Sequence, residues 1–170
     1  AGHRLDAHVP FIGPALSEGN IGSPKRIAAF MAQLAHESGE YRYMEELADG
    51  SAYEGRADLG NTEPGDGMKY KGRGPIQITG RANYLACGKA LGLDLINDPT
   101  LLALPEYGTL SATWFWNLHH LSLLADRGWF RAITRAINGG NNGGADRGGY
   151  YQRNLALFGL AAYSEAGEGQ

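Results

Sequence analysis

Apolar residues recur at helical spacing along most of the chain. The sharpest run follows Ser23, a residue type that caps helix N-termini, and Pro24, which suits the first helical position. Ile27, Phe30, Met31, Leu34 and Ala35 then fall at i, i+3, i+4, i+7 and i+8, and Gly39 supplies the stop. Residues 4–18 place Leu5, His8, Val9, Ile12 and Leu16 at similar spacing, but Pro10 and Pro14 predict a helix cut short or kinked. Ile76-Gln77-Ile78 reads as a brief extended run, after which Thr79 is expected to cap a helix over about 80–91. Asp98-Pro99 opens a short helix, and residues 106–118, with Leu110, Thr113, Trp114 and Asn117, predict a buried central one. Further helices are predicted over about 129–137, ending at Asn138-Gly139-Gly140, and over about 145–158, weakened by Gly148 and Gly149. Residues 40–72 break the pattern. They are polar, Gly-rich and aromatic, with turn signals at Asp49-Gly50 and Pro64-Gly65-Asp66-Gly67, and predict short hairpin strands and loops. The expected fold is mainly α (α+β), a single domain over 1–170 with one small β-hairpin region.

Composition narrows the function classes. The 170 residues are 43% hydrophobic, and no stretch approaches the ~18 consecutive apolar residues of a membrane span. Lys+Arg 15 against Asp+Glu 18 gives a net charge of −3, a poor match to nucleic acid, which demands a cationic surface. The one cysteine, Cys87, has no intrachain partner and sits among small and apolar residues, as a buried structural thiol does. No signal peptide is visible, and residue 1 is Ala.

Elimination leaves a pair of acids. His36-Glu37-Ser-Gly-Glu40 is not the H-E-x-x-H zinc motif, the five histidines lack spaced metal partners, and neither a P-loop nor a G-x-S-x-G elbow occurs. Glu37 falls in the last turn of an apolar-faced helix, facing the negative end of the macrodipole, a setting suited to a general acid. Glu46 follows nine residues later. An unbroken helix would send the two to opposite faces, but the break at Gly39 lets the chain double back. Two carboxylates flanking a cleft are the minimal equipment for glycoside hydrolysis, one protonating the leaving oxygen and the other activating water. On spacing alone, Glu45 and Glu54 rival Glu46 as the second acid. Residues 70–84 add Gly72 and Gly74 for close backbone approach, Gln77, Thr79 and Asn83 as neutral hydrogen-bonding groups, and the flat faces of Tyr70 and Tyr84.

Three segments carry a family resemblance. They are Ala35-His-Glu-Ser-Gly39 with Glu46, Tyr70-x-Gly-Arg-Gly-Pro-Ile-Gln-Ile-Thr with Asn83-Tyr84, and Ile137-Asn-Gly-Gly140 followed by Ala145-Asp-Arg147. Together with Trp114-Phe-Trp116, they make the chain resemble the family 19 glycoside hydrolases, which include chitinases and muramidase-type phage endolysins. The resemblance implies a lysozyme-like, bilobal helical fold whose β-hairpin region lines a substrate groove. It makes Glu37 the general acid and Glu46 the general base of an inverting cleavage, with Thr79 holding the attacking water. It implies substrate contacts for His36, Tyr70, Gln77, Asn83 and Asn138, and for Arg147 a place beside the acid. Trp114 and Trp116 go to the core, and no cofactor or metal is implied.

Two departures stand out. Plant-type members place the second acid later, in a context that Glu54-Gly-Arg56 echoes, and Asn142 replaces a glutamate of their acid–arginine network. The short, nearly cysteine-free chain favours a muramidase cutting between N-acetylmuramic acid and N-acetylglucosamine in peptidoglycan. A chitinase is the alternative, and a non-catalytic glycan-binding module the second. The expected protein is a monomer without stable membrane insertion, made in the bacterial cytoplasm and acting at the cell wall or periplasm by an unspecified export route.

Overall fold

The computed structural model describes residues 4–164. Among these residues lie eight α-helices: α1 (Arg4–Glu18), α2 (Pro24–Glu37), α3 (Asp66–Lys69), α4 (Arg81–Leu91), α5 (Pro105–Leu118), α6 (Leu121–Arg127), α7 (Phe130–Asn138) and α8 (Gly144–Leu157). Short 3₁₀ turns occupy Ser51–Tyr53, Ala57–Leu59 and Pro99–Ala103. The predicted helical character holds.

α2 is built as its sequence predicts. The N–H of Arg26 donates to Ser23 Oγ at 3.4 Å, Pro24 opens the helix, and Gly39 turns the chain at φ +56°. α2 packs along α8, and α1 lies on α5. On α5, Trp116 is fully buried with Phe30 edge-on to it at 5.4 Å, and its indole N–H donates to Ser122 Oγ at 2.9 Å. Burying a side chain of that size contributes on the order of 3 kcal/mol. Trp114 is partly buried against the same core.

Four local expectations need correction. α1 runs unbroken through Pro10 and Pro14. The two prolines are one turn apart on its exposed face, so the carbonyls they leave without helical donors open to water, while His8 and Ala15 are buried. The hairpin expected within 40–72 is absent. Two isolated antiparallel bridges, Glu45 with Arg73 and Arg73 with Ile78, stand beside the 3₁₀ turns. Side chains satisfy that segment's backbone instead of a ladder: the Glu54 carboxylate accepts from the N–H groups of Gly65 and Gly67 at 2.6 and 2.8 Å, and Asn61 donates to the Tyr53 carbonyl. Thr79 does not cap α4. Its hydroxyl donates to the Gln77 carbonyl, and the first N–H of α4, on Arg81, is taken by the buried Asn61 side chain at 2.8 Å. Finally, α6 had no predicted counterpart, because a seven-residue helix entered through His120 at φ +53° announces itself with no cap.

Candidate active site

The segment 38–46 carries the chain from the end of α2 to the bridge strand. Ser38 organises its start, with its hydroxyl donating to the Leu34 carbonyl and accepting from the Tyr41 N–H. Glu40 and Tyr41 then take positive φ of 59° and 63°, turning the chain sharply enough to bring Glu46 back alongside Gly72. The Glu46 N–H donates to the Gly72 carbonyl at 2.9 Å, and the Gly74 N–H donates to the Met44 carbonyl.

This backbone pairing fixes the Glu46 carboxylate. Its Oε2 accepts from the Gly72 N–H at 3.1 Å and its Oε1 from the Tyr53 hydroxyl at 3.0 Å. Burial, with the carboxylate beside it, pushes the Tyr53 hydroxyl above the usual tyrosine range, so Tyr53 stays a donor. Gln77 and Thr79 meet Glu46 at Gly72. A Cβ on Gly72 would lie 2.7 Å from Gln77 Oε1, 3.3 Å from Glu46 Oε2 and 3.4 Å from Thr79 Oγ. Only glycine leaves the three polar side chains room to converge. Gln77 holds a strained φ of +57°, anchored by its Nε2 donating to the carbonyls of Gly74 and Tyr43.

Glu37 is held differently. The buried Arg147 of α8 donates through Nη2 to its carboxylate, through Nη1 to Gln33 Oε1 at 2.6 Å, and through Nε to the Asn142 carbonyl at 3.0 Å. The cation thus faces one carboxylate and two neutral acceptors. Next to this pair, His36 Nδ1 lies 2.6 Å from Asp146 Oδ2, and a Cβ on Gly143 would collide with the His36 ring. Two neighbouring pairs, 36 with 146 and 37 with 147, therefore join the end of α2 to the start of α8.

The remaining candidates separate. Asn83 is exposed in the first turn of α4 with its amide on the Thr79 carbonyl, and Asn138 is exposed at the end of α7. Tyr70 is a correction: it is fully buried, its hydroxyl donates to the Ile96 carbonyl, and its ring packs on Tyr84, so it faces no groove. Of the rival acids, Glu54 is spent on the Gly65 and Gly67 N–H groups, and Glu45 pairs with Arg73 and Lys71. Sequence reasoning gave no site role to Tyr53, Gln33 or Asp146. Gln33 alone left a signal: it is the one polar residue among the buried residues of α2, with Ala28, Ala29, Phe30, Ala32 and Leu34, and lies one turn before Glu37. Burial pushes the Cys87 thiol up to about 12, as befits a structural cysteine. Among the described residues, no group of three or more His, Cys, Asp or Glu side chains gathers as a metal site.

A helical domain that presents one carboxylate on a buried arginine and another beside a threonine and a glutamine has the parts of a glycoside hydrolase. The sequence profile of the family described as chitinase class I matches residues 5–122, and the chain belongs to this family, the family 19 glycoside hydrolases. It is similar to an endochitinase of Arabidopsis thaliana, 47% identical over 121 residues that span 71% of this chain and 41% of that protein. A solved class IV, family 19 chitinase from Zea mays superposes with a TM-score of 0.71 at 29% identity, over 95% of this chain and 83% of that one. A bacterial family 19 chitinase does so at 0.75 and 28%, over 97% of each. The chain spans between 41% and 64% of the length of three curated plant endochitinases that it matches.

Proposed function

We propose that the chain is a chitinase, hydrolysing β-1,4 bonds between N-acetylglucosamine units with inversion at the anomeric carbon. The observation that carries this reading is the gathering of Glu46, Gln77 and Thr79 at the side-chain-free Gly72, joined through segment 38–46 to Glu37 on Arg147. Curated relatives are endochitinases, which supports chitin over peptidoglycan and reverses the order suggested by the short, cysteine-poor chain.

In this mechanism Glu37 donates its proton to the glycosidic oxygen as the C1–O bond breaks, and the leaving sugar departs with a free hydroxyl. A water attacks C1 from the opposite face and gives one proton to Glu46. Its other hydrogen stays on the oxygen that becomes the new C1 hydroxyl and is hydrogen-bonded to a lone pair of Thr79 Oγ, whose own hydrogen is committed to the Gln77 carbonyl at 2.9 Å. That commitment makes Thr79 an acceptor toward the water and leaves the water's lone pairs free, one of them aimed at C1. Arg147 bonds the carboxylate that Glu37 becomes after donation, and proton exchange with solvent resets both acids. Gln77, Asn83, Asn138 and His36 hold the sugar chain.

The test is digestion of soluble chitin oligomers, with product anomers followed by proton NMR. α-Anomers formed first, by the wild type and not by Glu37→Gln or Glu46→Gln, are expected. Intact oligomers beside peptidoglycan cleaved to reducing-end N-acetylmuramic acid would restore the muramidase. Glycan binding without turnover would leave a binding module.

A further inference from the structure

We infer that Gln33 is a positioning residue for the acid: it holds Arg147 in line with Glu37 and, by being uncharged, reserves the guanidinium's charge for that one carboxylate. This inference rests on the proposed role of Glu37 as the general acid.

The geometry leaves Gln33 one way to sit. Its side chain is fully buried in α2, where an unpaired amide is costly. Arg147 can only donate, so the atom it meets at 2.6 Å must be the amide oxygen. The amide nitrogen in turn donates to Thr134 Oγ on α7 at 2.9 Å, and the Thr134 hydroxyl donates to the Phe130 carbonyl at 3.2 Å. Every donor in this relay has an acceptor, and the chain of bonds runs from the α7 backbone to Glu37. A flipped amide would set N–H against N–H at Arg147.

The neutrality of residue 33 matters because of its place. Gln33 and Glu37 are four apart on α2 and share a face, and Arg147 bonds to both. A carboxylate at position 33 would have the same shape, but it would divide the cation and add a like charge beside the acid. Charged neighbours do not mask such a change. Asp146 of α8 is paired with His36, and Glu40 accepts from the Tyr150 hydroxyl of α8, over whose ring Arg153 stacks. Asp126 of α6 pairs with Arg26 at the far end of α2. Arg131 of α7 is half-buried and Arg135 is exposed. Glu45 and Glu46, further along the loop, are held by Arg73 and Lys71 and by Tyr53 and Gly72.

Gln33→Glu tests the idea with two readouts. The first is the ¹³C titration of the Glu37 carboxyl, which needs no turnover. Its midpoint is expected to rise by about one pH unit in the variant, since a like charge disfavours the ionised form. The second is the pH–rate profile on chitin oligomers, whose alkaline limb should move up by the same amount while KM stays within about twofold. An unmoved midpoint in a folded variant overturns the inference, whether or not the wild type degrades chitin. A wild type without glycosidase activity overturns only the proposed function. Should Gln33→Glu fail to fold, Gln33→Met carries the test. Loss of the acceptor should lower kcat about tenfold with little change in KM, through misplacement of the acid. A wild-type kcat in Gln33→Met overturns the inference.

Discussion

The two acids sit in opposite kinds of setting. Glu37 ends a helix, and its polar partners reach it from side chains, chiefly Arg147 at a separation of 110 residues. Glu46 lies in a short bridge segment, and its partners are a backbone N–H and a tyrosine seven residues away. The first setting exists only while α2 and α8 are packed together. The second is fixed by local turns and a bridge. Disturbing the Glu37 side should therefore cost both activity and stability, and disturbing the Glu46 side should cost activity alone.

The largest effect expected is on turnover. Glu46→Gln should lower kcat by about 10²–10⁴-fold, the usual contribution of a general base. It should barely move the thermal midpoint, because the Gln amide oxygen can accept from the Gly72 N–H while its amide nitrogen donates to the Tyr53 hydroxyl oxygen, which can turn from donor to acceptor. Glu37→Gln should lose turnover to a similar degree and also lose stability, since Arg147 would remain buried without its carboxylate. Calorimetry of both variants beside single-turnover kinetics checks the contrast, and equal stability losses would break it.

Next in size is Arg147→Ala. Removing one partner of a buried ion pair costs about 3–5 kcal/mol, here with Glu37, Gln33 and the Asn142 carbonyl all left without their donor. Urea denaturation measures the loss, and a cost under ~1 kcal/mol, the surface-pair range, would show that the α2–α8 joint does not depend on this residue. A smaller effect belongs to the other side. Gly72→Ala brings a methyl group to 2.7 Å from Gln77 Oε1. The atom it meets is the far end of a side chain, so Gln77 moves aside and stability stays within about 1 kcal/mol. The sugar contacts and water site are displaced, and kcat/KM should fall roughly tenfold or more.

The same contrast separates what the sequence reveals from what it hides. α2 is legible because its cap, its periodicity and its glycine stop are all local, and Glu37 is legible with it. Glu46 could be ranked with Glu45 and Glu54 but not chosen from spacing alone. The choice depends on where Arg73, Lys71, Gly65 and Gly67 fall in space, and each rival is occupied by two of these groups. Tyr70 misled because an aromatic beside a glycine-rich loop has the same signature in a groove or in a core. Its hydroxyl partner at Ile96 is 26 residues away. Gln33 and Asp146 owe their places to partners more than a hundred residues distant, and no short-range pattern encodes such a meeting. α1 shows the converse, since its prolines are harmless only because both face water.

The smallest effect tests how far the turn after α2 depends on α1. His8 is buried against the Tyr41 ring at 4.7 Å, and its Nδ1 has no hydrogen-bond partner. Tyr41 is the residue at φ +63° that helps turn the chain from Glu37 toward Glu46. Burial holds the His8 imidazole below its ordinary value of 6.5, so the folded protein keeps it neutral where the unfolded chain would protonate it. The unfolded state then binds more protons over that interval, and stability must rise with pH across it. Read downward, the full stability is present above pH 6.5 and is lost as the pH falls below it. The loss ends at the lowered folded value, and its slope is at most about 1.4 kcal/mol per pH unit. Urea midpoints at pH 7.5 and 5 should therefore separate for the wild type and draw together for His8→Leu, once the carboxylate contribution common to both is subtracted. Identical separations in the two proteins would mean that the imidazole takes up its proton without disturbing Tyr41, leaving the turn to be held by Ser38 alone.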